Sequence, residues 1–248
     1  MRLQNKKAVI VGGSSGIGLS IAEGFAREGA RIGIIGRRKE KLDGALASLL
    51  KLNGAAIGLA ADMRGAKACG EAIGRLATEL DGIDILVNSQ GITVISPSAD
   101  LDEEDYTRVI DTNLNSIFFC CQATYRHMRG KGGSIISIAS LAGHRGWPLA
   151  APYAASKHGV LAFTRTLATE WADDRIRVNS ISPGYFRTEL TSVLKPERVA
   201  LATSRTPMSR FGELPELQGA AIFLASDEAS YVTGADLAVD GGFLAKGL

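Results

Sequence analysis

The sequence predicts an α/β protein built on a doubly wound parallel sheet with helices on both faces. Short apolar runs alternate along the chain with segments of helical periodicity, and this alternation is typical of parallel sheets. The first apolar run leads directly into the glycine-rich loop Gly12-Gly-Ser-Ser-Gly16-Ile-Gly18. Other runs end in small or polar residues, at the carboxyl ends of strands, where such sheets bind ligands. We therefore expect a single domain, residues 1–248, that binds a ligand along this edge.

Each element follows from its residue pattern. The continuous apolar run at residues 7–11 is expected of a strand covered on both faces. Strands are predicted at residues 7–11, 29–35, 55–60, 83–88, 133–139, 176–182 and 236–239. Helices are predicted at residues 19–28, 39–52, 65–80, from 101 onward, 112–129, 154–167 and 217–225. Residues 185–214 combine weak periodicity, two prolines and several charges, which predicts a substrate lid over the sheet's carboxyl edge.

Composition and charge argue against several functions. A net charge of +2, without a basic cluster interleaved with aromatics, argues against nucleic-acid or anionic-membrane partners. The sequence has no apolar run of about eighteen residues and no N-terminal pattern typical of a secretory signal. Cys69 and the adjacent Cys120 and Cys121 fit reduced core residues of a cytoplasmic protein. The three histidines lack metal-ligand spacing, so no metal is expected.

The glycine loop predicts a phosphate-binding turn. Glycine permits a tight turn and a close approach of phosphate, and the following helix presents free N–H groups at the positive end of its dipole. Glycine also serves ordinary tight turns, so the loop alone is a weak signal. Its position between the first strand and the first helix favours the nucleotide interpretation. The expected fold is therefore Rossmann-like.

The end of the second strand indicates which dinucleotide is bound. An acid at this place would bind the ribose hydroxyls and repel a 2′-phosphate. Gly36 holds the place instead and is followed by Arg37 and Arg38, whose guanidinium groups suit a phosphate. NADP(H) is favoured and NAD(H) stays possible, the alternative being that both arginines cap a solvated helix start. Asp62, after the third strand, either contacts the adenine amino group or caps the next helix.

A phenol, an ammonium and a hydroxyl are predicted to converge where the fifth strand ends. Tyr153 and Lys157 are four residues apart in a predicted helix, so they share one face, and Ser140 ends the preceding apolar run. A phenol titrates near pH ~10 and needs a nearby cation to act at neutrality. It could then exchange a proton with an oxygen whose carbon exchanges a hydride, while a serine hydroxyl binds that oxygen. Alone, the Tyr–Lys pair also fits ordinary helix neighbours.

Taken together, these motifs resemble the short-chain dehydrogenase/reductase family over about residues 6–242. The matching positions are the loop glycines Gly12, Gly16 and Gly18, the segment Asn88-Ser-Gln-Gly91, Asn113, Ser140, Tyr153 with Lys157, Pro183-Gly184, and Thr188. The resemblance implies that Tyr153 is the acid/base, that Lys157 lowers its pKa and holds the nicotinamide ribose, and that Ser140 orients the substrate oxygen. It also implies a water held by Asn113 that links Lys157 to solvent, although a buried asparagine can equally make a structural bond. A homotetramer is expected on the same ground.

The implied site residues fall into three groups. The catalytic candidates are Asn113, Ser140, Tyr153 and Lys157. The cofactor candidates are Gly12, Ser14, Ser15, Gly16, Ile17, Gly18, Arg37, Arg38, Asp62, Met63, Asn88, Gly91, Tyr153, Lys157, Pro183, Gly184 and Thr188. The substrate candidates are Gln90, His144, Arg145, Trp147 and Tyr185.

One departure from the family pattern bears on the substrate. Ser89-Gln90 replaces the family's Asn-Ala, which places an amide near the expected nicotinamide, either as a substrate contact or as part of the loop wall. His144 and Arg145 could receive a hydroxylated or carboxylated substrate, or lie exposed or against another subunit. The pattern looks most like gluconate 5-dehydrogenases and related sugar or polyol dehydrogenases. A 3-oxoacyl thioester (acyl-carrier-protein) reductase is the alternative, and a non-catalytic nucleotide-binding regulator is a third.

Overall fold

Seven parallel strands form one sheet through the centre of the protein. The structure, a computed structural model, describes residues 1–192 and 194–246. The strands are β1 Lys7–Val11, β2 Arg31–Gly36, β3 Ala56–Ala60, β4 Ile85–Asn88, β5 Gly133–Ile138, β6 Ile176–Pro183 and β7 Asp236–Val239. Their order across the sheet is β3-β2-β1-β4-β5-β6-β7, and every neighbouring pair is parallel. The predicted doubly wound parallel sheet is confirmed.

Helices cover both faces of this sheet. They are α1 Gly16–Arg27, α2 Lys39–Asn53, α3 Ala66–Leu80, α4 Glu103–Ile110, α5 Ser116–Met128, α6 Ala151–Glu170, α7 Glu189–Ser192, α8 Pro196–Arg205 and α9 Gln218–Ala225. In β1, Val9 and Val11 pack into the core shared with α3, α5 and α6, whereas Ala8 and Ile10 pack into the core shared with α1, α2 and α9. Successive strand side chains point to opposite faces, so a strand buried on both faces is mostly apolar.

The chain reverses its winding between β1 and β4, and this reversal opens a crevice. Connections run outward from β1 through β2 to β3 and, on the other side, from β4 through β5 and β6 to β7. Ligands bind at the carboxyl ends of strands at such a switch point. Here the loops after β1 and β4 touch: a Cβ at Gly12, whose φ is +78°, would lie 2.8 Å from the Gln90 nitrogen. Only glycine fits that contact and that backbone angle.

Several predicted boundaries shift, and two shifts matter for the site. Helix α1 begins at Gly16 rather than at 19, so the end of the glycine loop forms the first helical turn. Helix α6 begins at Ala151 rather than at 154, with Pro152 in its first turn, where proline is favoured. Tyr153 therefore belongs to that first turn. The predicted helix 112–129 is instead a π-helical turn, Asp111–Asn115, followed by α5.

Residues 185–214 include the two short helices α7 and α8 and lie next to the C-terminal tail. The Lys246 ammonium donates to the Ser204 carbonyl oxygen at 2.8 Å, and the Met208 nitrogen donates to the Gly241 carbonyl oxygen at 3.1 Å. The tail thus anchors the second half of the segment. Within residues 1–192 and 194–246, no helix has the length and apolar character needed to cross a membrane.

Candidate active site

A cavity of about 580 Å³ opens along the carboxyl ends of the central strands. Its walls come from the glycine loop, the segments after β2 to β6, the start of α6 and the start of the 185–214 segment. The predicted residues that line it are Gly12, Ser14, Ser15, Gly16, Ile17, Arg37, Arg38, Asp62, Met63, Gln90, Gly91, Ser140, Tyr153, Lys157, Pro183, Gly184 and Thr188. Residues distant in sequence therefore share one volume, which is of the usual size for a small-molecule or cofactor site.

The proposed acid/base group lies at one end of this cavity. Tyr153 is half-buried, and the Lys157 ammonium lies 5.7 Å from the centre of its ring. Lys157 is only 3% exposed, and its ammonium donates to the Ile138 carbonyl oxygen at 2.7 Å. Ser140 lies two residues beyond the end of β5, and its hydroxyl accepts from the Ala142 nitrogen at 3.1 Å. The sheet edge and the first turns of α6 thus place the three predicted groups together.

Burial dominates the ionisation of two of these groups. It raises the pKa of the Tyr153 phenol, a hydrogen bond with Ser140 opposes that rise, and the neighbouring Tyr185 adds to it. Burial also lowers the pKa of Lys157 to about 8, because the ammonium is removed from water. The sequence predicted a Tyr153 pKa lowered by Lys157. In this structure the phenol pKa is instead raised, since desolvation outweighs the favourable contacts.

Asn113 makes a structural bond. Its side-chain oxygen accepts from the Ile92 nitrogen and its amide donates to the Ile92 carbonyl oxygen, both at 2.8 Å. The amide also lies 3.3 Å from the Ser156 hydroxyl oxygen. This two-way bond fixes the chain just after Gly91, close to Lys157. It accounts for an asparagine that is fully buried in a π-helical turn, a distortion often found at functional sites. Its role in a water relay stays a prediction.

The glycine loop has the shape of a pyrophosphate cradle. A Cβ at Gly18 would lie 2.3 Å from the Gly12 carbonyl oxygen, so the loop closes tightly on itself. At Gly16, where φ is +54°, an added Cβ would meet no described atom within 4 Å, so the backbone is open to the cavity. The first N–H groups of α1 follow at once and favour an anion. Gly12 and Gly18 shape the turn, and Gly16 leaves room for a ligand.

The end of β2 carries two arginines and no acidic side chain. A Cβ at Gly36 would lie 2.5 Å from the Ser14 hydroxyl oxygen, so no acidic side chain fits there. Arg37 and Arg38 are exposed at the start of α2, next to the positive end of its dipole. Cations are unfavourable at that end unless an anion joins them. Arg38 occupies the N-cap position of α2 without a side-chain capping bond, so both the phosphate role and the solvated helix start stay open.

The alternative in which Asp62 caps a helix is wrong. Gly65 holds the position before α3, and the Asp62 carboxylate instead pairs with Arg64, whose Nη2 lies 2.7 Å from Oδ2. This contact is the main reason why the pKa of Asp62 is lowered. The carboxylate lines the cavity beside Met63, whose side chain belongs to the core. Contact of Asp62 with an adenine amino group stays a prediction.

Two of the substrate candidates are occupied by other contacts. The His144 ring nitrogen Nε2 lies 3.0 Å from the Ser182 hydroxyl oxygen and 2.9 Å from an Asp236 carboxylate oxygen. His144 therefore joins its loop to β6 and β7. The Gln90 amide donates to the Ser116 hydroxyl oxygen at 3.0 Å, which turns the side chain toward α5. Its oxygen is buried without a partner in the described chain, so an acceptor remains beside the cavity.

The other three candidates form a wall next to the cavity. The Tyr185 ring stacks on Phe211 at 5.3 Å and approaches Trp147 and Phe243, both at 6.0 Å between ring centres. Arg145 donates to the Leu244 carbonyl oxygen at 2.9 Å, so the C-terminal tail closes the same side. Tyr185, Trp147 and Arg145 are not among the described residues that line the cavity itself, and neither is His144. The wall is aromatic, and Tyr185 lies near enough to influence Tyr153.

Similarity to known proteins decides the family. A family model described as enoyl-(acyl carrier protein) reductase matches residues 11–244. Gluconate 5-dehydrogenase of Gluconobacter oxydans is 37% identical over 243 residues, which span 97% of this chain and 95% of that protein. The chain belongs to the short-chain dehydrogenase/reductase family. It is an oxidoreductase that acts on CH–OH groups, as the resemblance implied.

Two further relatives of similar identity are named for two different reactions. A 3-oxoacyl-(acyl-carrier-protein) reductase of Chlamydia trachomatis is 38% identical over 242 residues, which span 97% of this chain and 98% of that protein. The solved structure of gluconate 5-dehydrogenase from Burkholderia cenocepacia, in complex with NADP and tartrate, is 37% identical with a TM-score of 0.94. That match covers 99% of this chain and 98% of the other.

The roles of the catalytic candidates stay predictions, which the family reaction would distribute as follows. A nicotinamide cofactor, when bound, supplies or accepts the hydride. A Tyr153 phenol with a raised pKa keeps its proton at neutral pH, so it can donate to a ketone oxygen. The predicted role of Ser140 is a second hydrogen bond to that oxygen as negative charge develops on it. In the reverse direction the phenol would have to lose its proton, and the predicted role of the Lys157 ammonium is to favour the phenolate.

The residues that line the cavity differ in part from those predicted from the sequence. Asn88, a predicted cofactor residue, is fully buried, and its amide lies 3.3 Å from the Cys121 sulfur. It positions the loop after β4 from within the sheet. Conversely, residues without a family motif line the cavity, including Ser116, Phe186, Glu189 and Thr191. Ser116 lies in a predicted helix and the other three residues lie in the predicted lid, and neither placement specifies where a side chain points.

Proposed function

We propose that this oxidoreductase uses NADP(H) to interconvert a secondary alcohol and a ketone on a small hydroxylated sugar acid or polyol. The observation that carries the proposal is that the active-site cavity has catalytic candidates at one end and two arginines at the other. Ser140, Tyr153 and Lys157 meet at one end, and Arg37 and Arg38 stand at the other. A dinucleotide bound between the loop at Gly16 and these arginines would direct its nicotinamide toward Tyr153.

The substrate class rests on the wall beside Tyr153 and on the relatives. Aromatic rings such as Trp147 and Tyr185 can pack against the apolar face of a sugar, and Arg145 brings a positive charge to the same side. The Gluconobacter and Burkholderia relatives are named for gluconate, and tartrate is a hydroxylated dicarboxylic acid. His144 contributes less than its sequence position suggested, because Ser182 and Asp236 already bind it.

A second candidate function is the reduction of 3-oxoacyl thioesters on an acyl carrier protein. The Chlamydia relative is named for that reaction, and the matched family model is described as an acyl-carrier-protein reductase. Purified protein should be assayed for reduction of keto sugar acids and 3-oxoacyl thioesters with NADPH and with NADH. Oxidation of polyols should be assayed with NADP. We expect turnover of a sugar acid or polyol. Activity confined to thioesters would favour the second candidate, and binding of NADPH without any turnover would favour a nucleotide-binding regulator.

The cofactor preference has its own test in Arg37→Asp. The carboxylate would repel a 2′-phosphate and bind ribose hydroxyls, so NADPH affinity should fall about 10- to 100-fold while NADH affinity changes less than about threefold. Fluorescence titration with each cofactor measures both values. Lys51→Asp reverses one charge at the other end of α2 and serves as the matched control. An unchanged preference in Arg37→Asp would contradict the assignment of this strand end to the phosphate.

The remaining parts of the proposal concern assembly, location and the 185–214 segment. We propose a homotetramer, supported by the partly buried rings of Phe118, Phe119 and Phe163 on α5 and α6. A cytoplasmic location is supported by Cys69 and Cys120, which are free thiols although their sulfur atoms lie 3.6 Å apart. The 185–214 segment is proposed as a substrate lid because its first residues line the cavity.

A further inference from the structure

Glu189 joins the 185–214 segment to the arginine end of the cavity. It is the first residue of α7, and its carboxylate contacts the Lys41 ammonium. The same carboxylate lies 3.5 Å from Nη2 of Arg38, a residue 151 positions away in sequence. Both cations hold the pKa of Glu189 below its ordinary range, with Lys41 the larger cause. The acid is therefore ionised at neutral pH, between two positive groups at the start of α2.

The position of this carboxylate matters because β2 lacks an acid of its own. An acid near the adenosine ribose is the usual reason for discrimination against a 2′-phosphate. At Gly36 the space for an acidic side chain is filled by Ser14. Arg38 and Glu189 both line the cavity, so a carboxylate from a distant part of the chain reaches the region that β2 leaves basic.

We propose that Glu189 is a specificity-determining residue whose carboxylate competes with the 2′-phosphate of NADP(H) for Arg38 and Lys41. The inference rests on the proposed use of NADP(H) in this cavity. The Arg38 and Glu189 side chains are 60% and 65% exposed, so water screens their ion pair and the pair is weak. A phosphate monoester carries more charge than a carboxylate and has three acceptor oxygens, so it can displace Glu189. Glu189 thus lowers, without abolishing, the preference for the phosphorylated cofactor.

The test is Glu189→Gln, which keeps the size of the side chain and removes its charge. Calorimetric titrations would use adenosine 2′,5′-bisphosphate and AMP, two fragments that differ only in the 2′-phosphate, and then NADPH and NADH. We expect about three- to tenfold tighter binding of the bisphosphate and of NADPH, and less than about twofold change for AMP and NADH. The gain should shrink in 1 M salt, because exposed charges are screened there. Glu197→Gln, which removes an exposed acid from α8, is the matched control.

The outcomes separate this inference from the proposed cofactor use. Comparison of the two fragments on the unaltered protein tests the use of NADP(H), and comparison of the protein with its Glu189→Gln variant tests Glu189. Equal changes in affinity for the bisphosphate and for AMP would overturn the inference, because Glu189 would then affect both ligands alike. No change for either ligand, or the same gain in Glu197→Gln, would also overturn it. A gain confined to the bisphosphate supports it even if the unaltered protein binds AMP more tightly.

Discussion

Tyr153→Phe is expected to lower kcat at least about 100-fold while NADPH affinity changes less than about twofold. Phenylalanine keeps the ring that packs 5.7 Å from the Lys157 ammonium and removes only the oxygen that exchanges the proton. The cavity wall and the cofactor contacts elsewhere stay in place, so binding should survive. Steady-state kinetics with a substrate identified from the panel, together with NADPH fluorescence titration, measures both quantities.

The loss of turnover must be separated from a loss of structure. Tyr231→Phe removes a phenol oxygen from a fully exposed side chain outside the cavity and serves as the matched control. Turnover near that of the unaltered protein in Tyr153→Phe would contradict the acid/base assignment. A parallel loss of NADPH binding would instead show that the ring position depends on the hydroxyl. Ser140→Ala should lie between these limits, because Ser140 stabilises the oxygen without exchanging its proton.

The fold was predictable because the sheet imposes its own pattern on the sequence. Strands such as β1 and β4 are covered on both faces, so most of their residues form short apolar runs in the sequence. The ends of helices were less predictable. Pro152 marks the first turn of α6, yet the preceding loop shows no capping residue that would fix the boundary. The π-helical turn at Asn113 depends on a contact with Ile92, which lies far away in sequence.

The site was predictable where chemistry depends on spacing within one element. Tyr153 and Lys157 share a helix face, so their proximity follows from four residues of separation. Side chains whose partners come from other elements were not predictable in this way. His144 is bound by Ser182 and Asp236, and Gln90 by Ser116. Glu189 was not identified from the sequence at all, because no local pattern indicates that α7 lies against the start of α2.

Lys157→Met is expected to abolish most turnover and, at neutral pH, to stabilise the folded protein. Methionine fills a similar volume without an ammonium, so the phenolate of Tyr153 loses its cation and kcat should fall at least about 100-fold. The stability gain arises because burial lowers the pKa of Lys157 from 10.5 to about 8. That difference corresponds to about 3 kcal/mol of unfolding free energy.

The unfolding free energies of the unaltered protein and of Lys157→Met should differ in their dependence on pH. Between about pH 8 and pH 10.5 the unfolded chain keeps the Lys157 proton and the folded protein does not. The unfolding free energy of the unaltered protein must therefore rise with pH across that window relative to Lys157→Met. Urea unfolding at pH 7 and at pH 10.5, followed by tryptophan fluorescence at one protein concentration, should show the variant's advantage shrinking by about 3 kcal/mol. Lys51→Met, which removes an exposed ammonium, controls for the change in net charge.

A constant stability difference between the two pH values would contradict the lowered pKa and leave Lys157 an ordinary cation. A shrinking difference would mean that the fold bears a buried ammonium at a cost in stability, as expected if the reaction at Tyr153 requires that cation. Natural proteins often retain such costs where activity requires them. The Ile138 carbonyl, at the end of β5, and the first turns of α6 hold the ammonium beside the phenol. The buried ammonium is therefore positioned by the same sheet edge that the apolar pattern of the strands predicts.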